Sequence, residues 1–256
     1  SRLLPRRLRR HVAVLYAFAR IADDFSDEPE YEGVRRERLD GWGRQLAETG
    51  EKPAEHPVFL ALGATLKELD LPKQPFDDLL SAFLQDTEKK RYETFDSVLD
   101  YCRRSANPVG RIVLMMHGYR DSELFRYSDA VCTALQLTNF WQDVAVDLKK
   151  DRIYIPEEDF KAHGYSEADL RMGVCNERFK ALMKFELART RSLFDQGKPL
   201  PGRLCWPLSL EIRLTWLGGM QILKLIHKLD FDTLRTRPAL KKRDWIPLVA
   251  RALIGA

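Results

Sequence analysis

A chain of 256 residues, 45% hydrophobic and 31% charged, has enough apolar mass for a sizeable core and too much of it for a disordered segment. Its net charge of +4, from 42 basic and 38 acidic side chains, is too small to argue for nucleic acid as a partner. Four cysteines without a C-x-x-C pair and five histidines without H-x-x-x-H spacing speak against zinc and for reduced thiols in a cytoplasmic protein.

In chain order, the spacing of apolar residues predicts helices over 7–26, 31–48, 57–69, 75–90, 95–118, 121–148, 166–171, 175–196, 207–229 and 244–254. Pro and Gly break the pattern in GEKPAEHP, DLPKQP, GKPLPG and RTRPAL. RIYIP at 152–156 alone reads as extended, too short and solitary for a sheet. No break has the length of a domain linker, so the expectation is one all-α domain over 1–256. Two helical stretches, 12–22 and 130–141, are apolar all round and are expected in the middle of a bundle. Pro108 is expected to kink the helix over 95–118 or to open its hydrogen-bond ladder. No apolar run approaches the ~20 residues of a membrane-crossing helix. Ser1 rather than Met opens the chain, which leaves room for residues upstream, and no signal peptide is legible.

Charge is uneven along the chain. RRLRR at 6–10 and KKR at 241–243 make both ends basic, which suits phosphates or an anionic membrane surface, a solvated helix face being the plainer reading of the second cluster. The acids are more telling. Asp23 and Asp27 are four apart at the end of an apolar helix, where they repel each other and the helix dipole. QLTNFWQDVAVD repeats the device, with Gln136, Asn139, Asp143 and Asp147 at offsets suited to one helical face. A divalent cation is the natural compensation. Oxygen ligands without His or Cys select Mg²⁺ or Mn²⁺, and Mg²⁺ completes its shell with water and phosphate oxygens.

Two such carboxylate pairs opposed across a cavity would clamp two or three Mg²⁺ ions around a diphosphate. Arg20, Lys149, Lys150 and Arg152 stand within a turn or two of these acids and are expected to reach the same phosphates. Arg20 with Asp23 or Asp24 is equally an ordinary i, i+3 or i, i+4 pair, and DLKKDR an ordinary helix end. Tyr16, Phe18, Tyr101, Val109, Met115, Met116, Leu135, Phe140, Trp141 and Leu217 are candidates for an apolar wall, although most residues of this kind are core. Polar ligands at the mouth of a greasy interior point to a long hydrocarbon carrying a diphosphate.

Asp23–Asp27, YCRRSANPVG at 101–110 and QLTNFWQDVAVDLKKDRIYIP at 136–156, in this order, resemble the squalene/phytoene synthase family of head-to-head isoprenoid enzymes. The resemblance covers nearly the whole chain. It implies a single-domain isoprenoid-synthase helical bundle around a central cavity. Asp23, Asp27, Asn139, Asp143 and Asp147 would hold Mg²⁺ and diphosphate, with Arg20 binding phosphate. Tyr16, Tyr101, Gln136 and Tyr154 would line the site, Gln142 would be among the substrate-binding residues, and Ala106, Val109 and Gly110 would shape the chain pocket. No nucleotide cofactor is expected, since no strand–G-x-G-x-x-G–helix unit is present.

Three departures matter. Gln142 stands where condensing members carry Arg, Asn107-Pro108 replaces a common Gly-Thr, and Phe140-Trp141 replaces small aliphatics. SRLLPRRLRRHVAVLYAFAR, ANPVG and NFWQDV look most like the hydroxysqualene-forming branch of hopanoid and squalene biosynthesis. That implies presqualene diphosphate as substrate, with water capturing the cation after diphosphate leaves. Condensation of two farnesyl diphosphates is the alternative, and a non-catalytic helical scaffold is a second one. A hydrocarbon product implies peripheral contact with a membrane and with other enzymes of the squalene pathway.

Overall fold

The computed structural model describes residues 4–254. Ser1–Leu3, which open the SRLLPRRLRR stretch, and Gly255–Ala256 lie outside the described residues. Thirteen α-helices follow in order among the described residues: α1 Arg6–Asp27, α2 Arg35–Glu48, α3 Pro57–Leu69, α4 Gln74–Glu88, α5 Phe95–Ser105, α6 Asn107–Met116 and α7 Ser122–Gln142. Then come α8 Val144–Lys149, α9 Glu157–Ala162, α10 Glu167–Arg171, α11 Glu177–Gly197, α12 Leu208–Lys228 and α13 Lys242–Ile254. Among the described residues β-pairing is limited to an isolated bridge between Thr49 and Lys52. The chain forms two compact units, one of residues 1–89 and 103–125, the other of 90–102 and 126–256.

The first unit is built on α1, which packs against α2, α3 and α4. Leu8, His11, Leu15, Phe18, Ala22 and Ser26 form its buried stripe, spaced three and four apart. Phe18 is fully buried, with its ring 5.3 Å from Phe76, 6.0 Å from Phe59 and 6.1 Å from Trp42. His11 Nδ1 meets Thr65 Oγ1 at 2.9 Å, so the one imidazole in this stripe is satisfied. The expectation of a helix buried on every side does not hold for 12–22. Ala13, Tyr16 and Arg20 are exposed, Tyr16 by 68%. Alanine and tyrosine tolerate either environment, so their apolar character did not report burial.

The helix over 95–118 divides into α5 and α6 at Ala106, as Pro108 foretells. A proline in the first turn of α6 needs no amide hydrogen, but one carried on from α5 would forfeit a bond to Arg104. Met115 and Met116, expected in a cavity wall, are instead buried in the core of the first unit with Ile112.

In the second unit α7 is buried nearly all round, as its composition predicts: Val131, Ala134, Leu137, Thr138 and Trp141 are all enclosed. Trp141, another expected wall residue, donates from Nε1 to Thr190 Oγ1 on α11 at 2.8 Å and belongs to the core. A Cβ on Gly219 would lie 2.4 Å from Phe194 Cζ and 2.9 Å from Leu135 Cδ2. Only glycine allows α12 to approach so closely. Leu217, also expected in the wall, packs with Leu248 and Ala252 where α13 lies on α12.

The expected helix over 121–148 is interrupted: α7 ends at Gln142, and Asp143 leaves helical geometry at φ −108° and ψ 15°. The helix expected from 31 starts at 35, after a 3₁₀ turn at Pro29–Tyr31. Helix α9 was not foreseen, since six residues are too few to establish a period. Cys102 is buried, where a thiol packs as a small hydrophobe, Cys132 is half buried, and none of the four cysteines forms a disulfide.

Candidate active site

On α1 the residues Tyr16, Arg20, Asp23 and Asp27 follow at offsets 0, 4, 7 and 11, a stripe away from the buried one. Arg20 lies among carboxylates, 3.2 Å from Asp23 Oδ2, 2.6 Å from Asp24 Oδ1 and 3.5 Å from Glu28 Oε1. It therefore makes the ordinary helical pairs weighed above. Its side chain is also half exposed. No basic residue stands in the last turn of α1, so its C-terminal partial charge adds to the repulsion among these acids. Ala106 joins α5 to α6, while Val109, 40% exposed, and Gly110 follow in the first turn of α6.

The second acidic motif sits in the other unit. Asn139 is exposed, Gln136 and Asp147 are half buried. The break at Asp143 keeps the local turn intact, because the Asp143 amide donates to Asn139 O at 2.9 Å and the Asp147 amide to Asp143 O at 2.8 Å. Asn139, Asp143 and Asp147 thus remain one turn apart, though not on one continuous helix. Arg237 grips Asp143 with two nitrogens: Nη2 donates to Oδ2 at 3.1 Å and Nε to Oδ1. Its neighbour Pro238 accepts a bond at 2.5 Å from Gln142 Nε2, which is buried. Gln142 was expected among the substrate-binding residues. Its amide nitrogen is spent on holding residue 238. Arg237 was not anticipated, and no local pattern links positions 94 residues apart.

RIYIP, expected as extended, is non-helical with a bend at Ile155, and runs beside residues 90–93. The Ile153 amide donates to Lys90 O at 3.0 Å, Glu157 to Tyr92 O at 2.9 Å and Glu158 to Glu93 O at 3.1 Å. This register builds a buried aromatic cluster. Tyr154 lies flat on Phe140 with centroids 3.6 Å apart, 5.6 Å from Tyr92 and 5.8 Å from Tyr101. Tyr92, overlooked in the sequence, is its fourth ring and only 1% exposed. A void of about 10 Å³, close to the space of one water, is lined by Phe140, Tyr154, Asp147 and Arg152, among others.

Ionic contacts fasten this loop. Arg91 Nη2 reaches Asp151 Oδ1 at 2.7 Å and Glu167 Oε1 at 2.8 Å, and Arg171 meets the same Asp151 oxygen at 2.5 Å. The two guanidiniums hold the Asp151 carboxyl down at about 2. Lys149 and Lys150 are exposed at the end of α8.

Among the described residues no three His, Cys, Asp or Glu side chains converge into a ready-made metal cage. The donors available are carboxylate pairs, Asp23 with Asp27 and Asp143 with Asp147, the second supplemented by Asn139. That set fits Mg²⁺, which takes one or two carboxylates and keeps positions for water and substrate phosphate.

The squalene/phytoene synthase family model matches residues 1–244. A phytoene synthase from Arthrospira platensis is 30% identical over 97% of this chain and 85% of its own. A hydroxysqualene synthase from Rhodopseudomonas palustris is 32% identical over 86% of this chain and 75% of its own. The crystal structure of a squalene synthase from Alicyclobacillus acidocaldarius superposes with a TM-score of 0.86 at 38% identity, covering 90% of this chain and 86% of that one. The helical fold is that of the isoprenoid synthases. With a prenyltransferase-type fold, two aspartate pairs and matching relatives along nearly its whole length, the chain belongs to the squalene/phytoene synthase family.

Proposed function

We propose that this enzyme converts presqualene diphosphate and water to hydroxysqualene and diphosphate, acting as one domain in squalene and hopanoid biosynthesis. The observation that carries the reading is the enclosed four-ring cluster beside Asp147 and Arg152. The similarity to a hydroxysqualene synthase and a squalene synthase supports it.

The chemistry follows from the residues. Asp23, Asp27, Asn139, Asp143 and Asp147 would hold Mg²⁺, which when bound supplies positive charge against the leaving diphosphate. Arg20, Arg152 and Arg237 bind phosphate oxygens and steady the charge as the C–O bond breaks and its electron pair departs with diphosphate. The cyclopropylcarbinyl cation left behind is stabilised by ring faces at Tyr154, Phe140, Tyr101 and Tyr92, in a setting that excludes bulk water. One admitted water then forms the new C–O bond and loses a proton. Tyr16, Gln136, Ala106, Val109 and Gly110 shape the space for the chain, and Gln142 acts through its hold on residue 238. The enzyme works in the cytoplasm, in peripheral contact with a membrane and with other enzymes of the pathway.

A second reading, condensation of two farnesyl diphosphates, is favoured by one observation. Condensation requires extra positive charge at the second motif, and Arg237 supplies a guanidinium there although Gln142 is neutral. The phytoene synthase relative points the same way. Product analysis separates the two. Presqualene diphosphate with Mg²⁺ and no NADPH is expected to yield hydroxysqualene carrying ¹⁸O from labelled water. Efficient conversion of farnesyl diphosphate alone to presqualene diphosphate would make the condensing reading the better one.

A further inference from the structure

Helix α13 rests on α12 through Leu248 and Ala252, and Arg213 Nη1 donates to Ala252 O at 2.8 Å. The next arc of the helix is apolar and uncovered. Trp245 is 46% exposed, Ile246 76%, Val249 39% and Leu253 66%. At 3.6 residues per turn these four fall within about 100° of arc, a contiguous face rather than scattered surface residues. Exposed apolar side chains taken singly need no explanation, but a face of this kind does.

The surrounding charge names the partner. Lys241, Lys242, Arg243 and Arg251 are all exposed, and Lys242 heads the apolar arc itself. The only acid in the helix, Asp244, turns its carboxylate to the Lys241 amide at 2.7 Å, capping the N-terminus. A second copy of the chain docked on this face would bring like charges together. An acidic lipid surface offers apolar depth and negative charge at once, and tryptophan is well suited to its boundary. Among the described residues no helix is long and apolar enough to cross a membrane, so α13 would lie on the bilayer. The other basic stretch is less available: Leu8 is buried, Arg10 Nη2 lies 2.5 and 2.6 Å from the Glu68 oxygens, and Arg9 donates to Leu4 O.

We propose that α13 is the membrane-contact element of the enzyme, its Trp245–Ile246–Val249–Leu253 face sinking among the headgroups of an anionic bilayer while the flanking Lys and Arg meet lipid phosphates. The proposal deepens the proposed function, on which it rests for its purpose, the delivery of a long, water-insoluble isoprenoid alcohol.

The test is flotation of the full chain with phosphatidylcholine vesicles, with and without phosphatidylglycerol. Binding to the anionic vesicles should exceed binding to neutral ones by about tenfold and fall with added salt. Ile246→Glu with Leu253→Glu should reduce it by about tenfold or more with melting temperature unchanged. Lys242→Gln with Arg243→Gln, which leaves the packed face alone, should weaken binding and flatten its salt dependence. Binding of both variants at the wild-type level would overturn the proposal. So would a wild-type dimer in ultracentrifugation that the Glu variant splits, because the face would then be covered by a second copy. Turnover of detergent-dispersed presqualene diphosphate should be unchanged in the Glu variant. If wild type binds vesicles but does not turn over that substrate, the reaction assignment fails and the membrane assignment stands.

Discussion

Arg237 closes on both carboxylate oxygens of Asp143, a residue 94 positions earlier in the chain. The guanidinium occupies the carboxylate that a metal would need, so the two compete. The pair is partly exposed, with about half the Arg237 side chain open to solvent, and such contacts are worth little. Arg237→Gln should therefore tighten Mn²⁺ binding to the substrate-free protein by up to about fivefold, measured by the electron paramagnetic resonance of free Mn²⁺. The same variant should lose about tenfold or more in turnover, because the freed guanidinium otherwise reaches diphosphate. Unchanged Mn²⁺ affinity would mean that the metal does not land on Asp143.

Each of Asp23→Asn, Asp27→Asn, Asp143→Asn and Asp147→Asn is expected to cut turnover by at least ~100-fold, since each removes charge on which leaving-group stabilisation depends. Melting temperatures should hold or rise for Asp23→Asn and Asp27→Asn, where repulsion at the end of α1 is relieved. Wild-type turnover in excess EDTA would remove the metal from the account.

The stack of Tyr154 on Phe140 gives a different signature. Tyr154→Leu removes a ring face from a dry site, where a cation–π contact is worth about 2 kcal/mol, so kcat should fall by about 30-fold. KM should move little, because the cation exists only after binding. Tyr154→Phe keeps the face and should stay near wild type. Equal losses in both variants would point to the hydroxyl instead.

Glu186 is fully buried in the second unit and shares Arg189 with Asp159, at 2.6 Å and 2.5 Å. Burial pushes its carboxyl up to about 8, with nearby Asp159 raising it further and Arg189 opposing. The folded value lies above the unfolded one, so this group's stabilisation is complete at acid pH, below the unfolded value. It fades as pH rises through about 8. Thermal melts between about pH 6 and 9 should show wild-type stability declining, and Glu186→Gln should flatten most of that slope. Parallel slopes would mean that Glu186 stays ionised throughout.

Local relations were legible in the amino-acid sequence because they depend on neighbours three or four residues away. Apart from α9 and the break between α7 and α8, the predicted helices came within a few residues of their observed ends, α3 at its predicted bounds, and Pro108 marked the division of α5 from α6. The aspartate spacing put Asp23 and Asp27 on one face of α1, and RIYIP stood apart from the helices around it. Tertiary structure decided which apolar residues were core and which partners the polar ones found. Trp141 and Phe140 are adjacent and equally bulky, yet Trp141 is tied to Thr190 in the core while Phe140 joins the aromatic cluster. Gln142 marked a missing charge, but residue 237 brought a guanidinium to the same place while Pro238 took up the Gln142 amide. Tyr16 and Ile246 are as apolar in sequence as their buried neighbours and stand exposed. Periodicity encodes what each turn of helix offers. Which offer is buried depends on elements far along the chain, and burial is a property of the packed chain alone.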